Sequence, residues 1–275
     1  MSPRASDSRR RDRLKNDDIL TRCRSNEGVG RIVVQPALKT PIKVLPFASA
    51  AAGGATNIQV RVTRMTIDLA IRWHARVQPL VDRNYTTGST SSPGQRTRAD
   101  VRWDWRLIFM LSQLYSLASW AQPRSGPALA LAMVVDTGPT GWFPIGMLTT
   151  VPRLFTDALG SQRDRGFGWY LADAPSEVYA GILKCPRVRD VAAALLDCGV
   201  QANTDRGYDG TFLLHADPKG GDRLQDFYRS RCGMTQLPAN GPAVTPVFRR
   251  GPTDEYFHFD ATQARAFCQQ FDPRR

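Results

Sequence analysis

The chain has 275 residues, 42% hydrophobic and 23% charged, a globular balance that excludes wholesale disorder. Its net charge of +12 suits an anionic partner, either nucleic acid or a phosphorylated ligand. Five scattered cysteines with no CxxC pair and three distant histidines speak against a disulfide framework or a zinc site, and no apolar run reaches the ~18–20 residues of a membrane span, so a soluble, cytoplasmic protein is expected.

Residues 1–30 are polar and lack apolar period, which predicts a mobile basic arm. Residues 1–24 hold eight Lys/Arg against four Asp, so the body still carries +8. Residues 31–56 read as an extended segment and linker: two prolines among β-branched residues at 32–43 suit an edge strand or a wrap, and 48–56 a flexible link. Residues 57–65 alternate as a half-buried strand. Thr66 caps a helix carrying Ile67, Ala70, Ile71, His74 and Val77, limited by Pro79. A Thr/Ser/Gly/Arg-rich loop at 86–99 precedes a second helix at 100–120, apolar through Leu107, Met110, Leu111, Leu114, Leu117 and Ala118.

Two apolar runs, 128–136 and 142–150, flank a turn and predict a hairpin. A strand at 168–174 is closed by Pro175, and Val188, Val191, Ala192, Leu195 and Gly199 share one helical face. Residues 210–216 form a strand. Asp222 caps a helix carrying Leu224, Phe227 and Tyr228, with Gln225 at the reciprocal capping position, and Gly233 ends it. A closing hairpin (244–249 and 255–259) and a terminal helix (261–271) follow. The order predicts an α/β chain: a mixed sheet with helices on both faces.

The stretch 169–234 contains Ala194-Leu195-Leu196, Arg206-Gly207-Tyr208-Asp209, Leu213-Leu214-His215-Ala216-Asp217, Phe227-Tyr228 and Cys232-Gly233-Met234. In order and spacing this resembles the core of the GNAT superfamily of N-acetyltransferases. The resemblance implies a GNAT-like domain over 57–275 with an N-terminal extension, and an acyl-CoA N-acyltransferase with acetyl-CoA as donor and an amine as acceptor. It also implies that acyl-CoA lies where strands 168–174 and 210–216 splay apart, touching Leu171 and Ala172. Its pyrophosphate would rest on the loop entering the next helix, here Arg187, Arg189, Val191, Ala192 and Ala193. Asp190 stands where the family has glycine, and a carboxylate facing a pyrophosphate is unfavourable. A second glycine-bearing match, Arg163-Asp164-Arg165-Gly166-Phe167-Gly168, precedes a strand rather than a helix.

By the same resemblance Tyr228 is the acid that protonates the departing thiolate. Asp173 and Glu177, at the end of the first of those strands, are candidate bases for the amine. Trp103, Asp104 and Trp105 would border the acceptor pocket, while His215 reads as a structural strand residue. The alternative is a GNAT-shaped module without catalysis that holds nucleic acid or a protein partner on its basic surface, with the basic arm contributing to a nucleic-acid contact.

Overall fold

The computed structural model describes residues 38–48, 57–88, 95–121, 124–138, 141–238 and 255–275. The expected arm at 1–30 and the expected strand at 244–249 lie outside them. The remaining elements assemble into a seven-stranded mixed sheet and a separate two-stranded ribbon.

The alternating run 57–65 is not one strand. It changes partner at Val60, whose N–H bonds Lys43 O at 2.8 Å. Before that point β2 (Asn57–Gln59) pairs with β1 (Val44–Pro46), and after it β3 (Arg61–Arg64) joins the main sheet beside β4 (Leu129–Asp136). Helix α1 (Ile67–Arg76) opens on the expected cap, Thr66 Oγ1 accepting from Leu69 N. Pro79 does not simply end it. Pro79 sits in the first turn of a further helix, α2 (Gln78–Asn84), where its missing N–H costs nothing.

The second long helix, α3 (Trp105–Ala118), starts five residues after the predicted start, because Asp104 caps it by accepting from Arg106 N and Leu107 N. Trp105, Ile108, Ser112 and Ser116 form its buried face. Ser116 Oγ bonds Ser112 O at 2.8 Å, which satisfies a buried hydroxyl. The leucines that mark the helix in sequence point outward: Leu107, Leu114 and Leu117 are half exposed or more.

The hairpin of β4 and β5 (Trp142–Thr156) forms as expected, and β5 runs on to pair with β6 (Arg163–Asp173). β6 is longer than the predicted strand and absorbs the whole Arg163–Gly168 glycine motif. Its glycines serve packing: Phe212 of β7 (Phe212–Ala216) lies across them. A Cβ on Gly166 would collide with the Phe212 ring, and one on Gly168 would sit 3.0 Å from it. Gly199, on helix α4 (Val191–Thr204), offers the third gap, 3.1 Å from the same ring.

β6 and β7 are parallel neighbours, registered at Gly166↔Phe212, Phe167↔Leu213 and Gly168↔Leu214. No pairing follows beyond Leu214, although β6 continues to Asp173. The register of β6 against β5 shifts between Thr149 and Thr150, leaving Trp169 as the extra residue of a bulge. A bulge bends its strand and raises the local twist, so β6 veers from β7 just where their pairing stops. This is the adjacent, parallel and diverging pair that the resemblance implies.

β9 (Glu255–Phe259) pairs with β7 on one side and with β8 (Thr235–Gln236) on the other. Phe212 and Leu214 belong to the main core, Leu213 to a smaller cluster with Val151, Phe167 and Tyr256. Alternation along β7 therefore puts the two clusters on opposite faces of the sheet.

Helix α5 (Gly221–Asp226) has no side-chain cap, so Asp222 lies in its first turn rather than at its cap. It loosens into a π turn over Phe227–Arg231, closed by Cys232 N on Phe227 O at 3.0 Å. Gly233 ends the segment at φ +72°. Helix α6 (Ala261–Gln269) carries a full capping box, Asp260 with Gln263.

Gly146 on β5 lets α4 settle against the sheet. A Cβ there would lie 2.6 Å from Val191 Cγ1 and 2.7 Å from Leu195 Cδ1. Gly146→Ala is expected to destabilise the chain by about 1–3 kcal/mol through overpacking, read as a lower urea midpoint. An unchanged midpoint would show that α4 shifts at no cost.

Candidate functional site

Where β6 and β7 part, a cleft of about 540 Å³ opens between the end of β6, the start of α4, the α5–π segment and residues 96–100. Leu171, Ala172, Arg187, Arg189, Val191, Ala192 and Ala193 all line it, as do Asp173 and Tyr228. Glu177 does not line it.

The open edge of β6 is defined by strand alternation. Ala174 N–H bonds Ile145 O of β5 at 2.8 Å, so the main-chain groups of Ala172 face β5 as well. Those of Leu171 and Asp173 face the opening. The Asp173 carbonyl is taken by Arg98 Nη2 at 2.6 Å. Leu171 is left as the strand position whose N–H and C=O can meet a ligand.

At the other end of the cleft α4 begins without a side-chain cap. Ala194 N–H is the first to close a helical bond, on Asp190 O at 2.8 Å. The N–H groups of Val191, Ala192 and Ala193 belong to the first turn, where no intrahelical acceptor exists. Together with the positive end of the helix dipole they form an anion site. Arg189 is exposed beside it, and Arg187 is half-buried.

Asp190 lines the cleft too, but its carboxylate is not the bare charge that the sequence suggests. Its backbone is left-handed, at φ 64° and ψ 14°, the conformation for which glycine is favoured and which Asp tolerates better than most residues. In that geometry its carboxylate meets Arg274 Nη1 at 2.9 Å and also Arg231. Burial pushes the Asp190 pKa up, but hydrogen bonds and charge from Arg274 and Arg231 outweigh it, and the net shift is downward. The expected repulsion is thus neutralised by two guanidinium groups.

Asp173 is equally committed, with Arg98 Nη2 at 3.2 Å and Arg187 Nη2 at 3.5 Å. Arg98 also makes a paired contact with Asp100 at 2.7 and 2.8 Å. Glu177 stands behind this wall, holding Arg96 at 3.0 Å and accepting from the Tyr85 hydroxyl at 3.2 Å. Burial raises its pKa, yet its hydrogen bonds and Arg96 lower it further, so it is a weaker base than a free glutamate. The Tyr85 ring is packed by two cations, Arg96 at 4.6 Å and Arg98 at 5.3 Å from its centroid. Sequence reasoning missed Tyr85, Arg96, Arg98 and Arg231. The first three fall on or beside a segment whose composition says only "loop", a place where binding residues concentrate.

Tyr228 is 5% exposed and lies in the π turn, its ring 5.2 Å from Phe227 and 5.6 Å from Phe257. Burial raises its pKa, so the hydroxyl stays protonated at any ordinary pH. Trp103, Asp104 and Trp105 do not border the cleft. Trp105 is fully buried, Trp103 packs edge-on to Tyr170 at 5.1 Å, and Asp104 caps α3. His215 stacks near Tyr256 at 4.9 Å between centroids.

Among the described residues no group of three or more His, Cys, Asp and Glu has a metal-holding arrangement, and no helix is long and apolar enough to cross a membrane. No known family profile and no curated protein matches the sequence. Solved structures similar to the chain include RimJ of Mycobacterium smegmatis with CoA-disulfide, at 12% identity and TM-score 0.46, covering 88% of this chain and 98% of that one. A PaiA N-acetyltransferase of Thermoplasma acidophilum with coenzyme A is 9% identical at TM-score 0.42, covering 73% and 98%. A GNAT-family acetyltransferase of Staphylococcus aureus Mu50 is 11% identical at TM-score 0.40, covering 72% and 97%. At these values the site is read from its own geometry.

Proposed function

We propose that the chain is an acyl-CoA-dependent N-acyltransferase, with acetyl-CoA as donor and an amine as acceptor. One observation carries the reading: the unpaired edge of β6 and the uncapped first turn of α4 line the same cleft. The amides of Val191, Ala192 and Ala193, with Arg187 and Arg189, suit a pyrophosphate. The Leu171 main chain suits an amide-bearing arm, and its N–H is the donor best placed to polarise a thioester carbonyl.

In this reading the acceptor nitrogen attacks the thioester carbon, the C–N bond forms and the C–S bond breaks. Tyr228 gives its proton to the departing sulfur and recovers one from solvent. Asp173 lies at the cleft but is paired with two arginines. Its carboxylate orients Arg98 and Arg187. Glu177 orients Arg96 and Tyr85 from behind. The amine proton therefore passes to solvent, and the rate comes chiefly from positioning.

The test is thermal unfolding with acetyl-CoA, expected to raise stability by about 2.7 kcal/mol at 100 times the dissociation constant. Ala192→Asp, which puts an unpaired carboxylate in the first turn of α4, should abolish that gain. Thiol release with amine acceptors then reads activity. No stabilisation of the parent protein would refute the proposal.

A further inference from the structure

A second groove, of about 300 Å³, lies at the far edge of the sheet, on β3, the start of α1 and the first residue of β5. It gathers Arg61, Arg64 and Arg72 around Trp142, with Thr63 and Thr66 between them. The Arg61 guanidinium lies over the Trp142 ring, 5.5 Å from its centroid, and Arg72 Nη1 donates to the Trp142 carbonyl. Trp142 is 41% exposed, a large aromatic surface to leave in water. Asp68 is the one carboxylate on the walls, against three guanidinium groups. Among the described residues none of the three arginines forms an ion pair, whereas Arg96, Arg98, Arg187 and Arg231 of the cleft all do. β3 is the terminal strand of its sheet, so its outer main-chain edge has no strand partner among the described residues.

We propose that this groove binds single-stranded nucleic acid, one base stacking on Trp142 and the flanking phosphates pairing with Arg61, Arg64 and Arg72. A phosphate or an acidic peptide would account for the arginines but not for the exposed indole held among them. Aromatic platforms beside cations are what single strands need, since every base has a face to stack and every nucleotide a phosphate. The body's surplus positive charge favours the approach of such a strand. Trp142 stands four residues along β5 from Gly146, which pairs with Asp173 at the cleft. That is about 13 Å along the strand, so the groove is separate from the cleft and the proposal does not depend on acyl transfer.

The experiment is fluorescence anisotropy of a labelled ten-nucleotide oligouridylate with the full chain, over a range of salt. Three proteins are compared: the parent, Arg61→Gln/Arg64→Gln and Trp142→Ala. Arg61 and Arg64 are exposed, so that double variant should fold as the parent does, checked by its melting curve. It is expected to weaken binding about tenfold at moderate salt and to flatten the slope of log affinity against log salt by roughly 1.4, for two phosphates on a single strand. Trp142→Ala should weaken binding about tenfold with little change in slope. Unchanged affinity and slope in both variants would overturn the proposal, since binding would then lie elsewhere. So would weaker binding in the arginine variant with none in Trp142→Ala, the mark of a merely electrostatic surface.

Discussion

Arg275→Met is expected to cost about 3–5 kcal/mol at pH 7.5, because it strips the partner from a buried carboxylate. Asp197 of α4 is fully buried, and Arg275 Nη2 meets its Oδ1 at 2.7 Å. The same guanidinium donates to Thr40 O at 2.6 Å, and Lys43 N–H bonds Arg274 O at 2.7 Å. Residues 274 and 275 thus tie the segment before β1 to α4, while Arg274 also holds Asp190 at the head of that helix. Burial pushes the Asp197 pKa up to about 6 even with Arg275 pulling it down. Without Arg275 it should rise further.

The pH dependence has a definite sign. An unfolded aspartate titrates near 3.9. Between that value and the higher native pKa, the folded state holds a proton that the unfolded state has lost. Stability therefore falls as pH rises through that window and is greatest at its acid end. The penalty of Arg275→Met should shrink on going from pH 7.5 to pH 5, as Asp197 becomes neutral. Urea unfolding at the two pH values measures it. Equal losses at both would mean that the variant acts through lost packing and not through the bare carboxylate. Asp197→Asn in the same background should recover part of the loss at pH 7.5.

The elements that carry the site were legible because their signals are local. A short run closed by Pro175 marks β6, the apolar run Phe212-Leu213-Leu214 marks β7, and the apolar face through Val191 and Leu195 marks α4. Their parallel pairing follows from the strand–helix–strand order. What was not legible depends on partners far apart in sequence. Asp190 reads as a charge in the wrong place until Arg274, 84 residues away, is brought beside it. Glu177 reads as a base until Tyr85, 92 residues away, takes its carboxylate. The glycines at 166 and 168 resemble a phosphate loop because the sequence does not show that Phe212 fills the space above them. The break at Val60 was hidden because one period of alternation served two different sheets.

Tyr228→Phe is expected to lower kcat about 100-fold, with acetyl-CoA affinity almost unchanged. The ring survives the substitution, so its contacts with Phe227 and Phe257 survive too. Only the hydroxyl is lost, and with it the donor that would meet the sulfur as the C–S bond breaks. General acid catalysis contributes about 10²–10⁴ in rate. Two features hold the effect to the low end. Burial raises the Tyr228 pKa and makes it a poorer acid, and a thiolate leaves readily unprotonated. An equal fall in kcat and kcat/KM would mark an interaction made only in the transition state. Calorimetric binding of CoA, beside steady-state thiol release, separates this from a damaged cleft. Wild-type turnover in the variant would take Tyr228 out of the mechanism, and the sulfur would then depart as the thiolate.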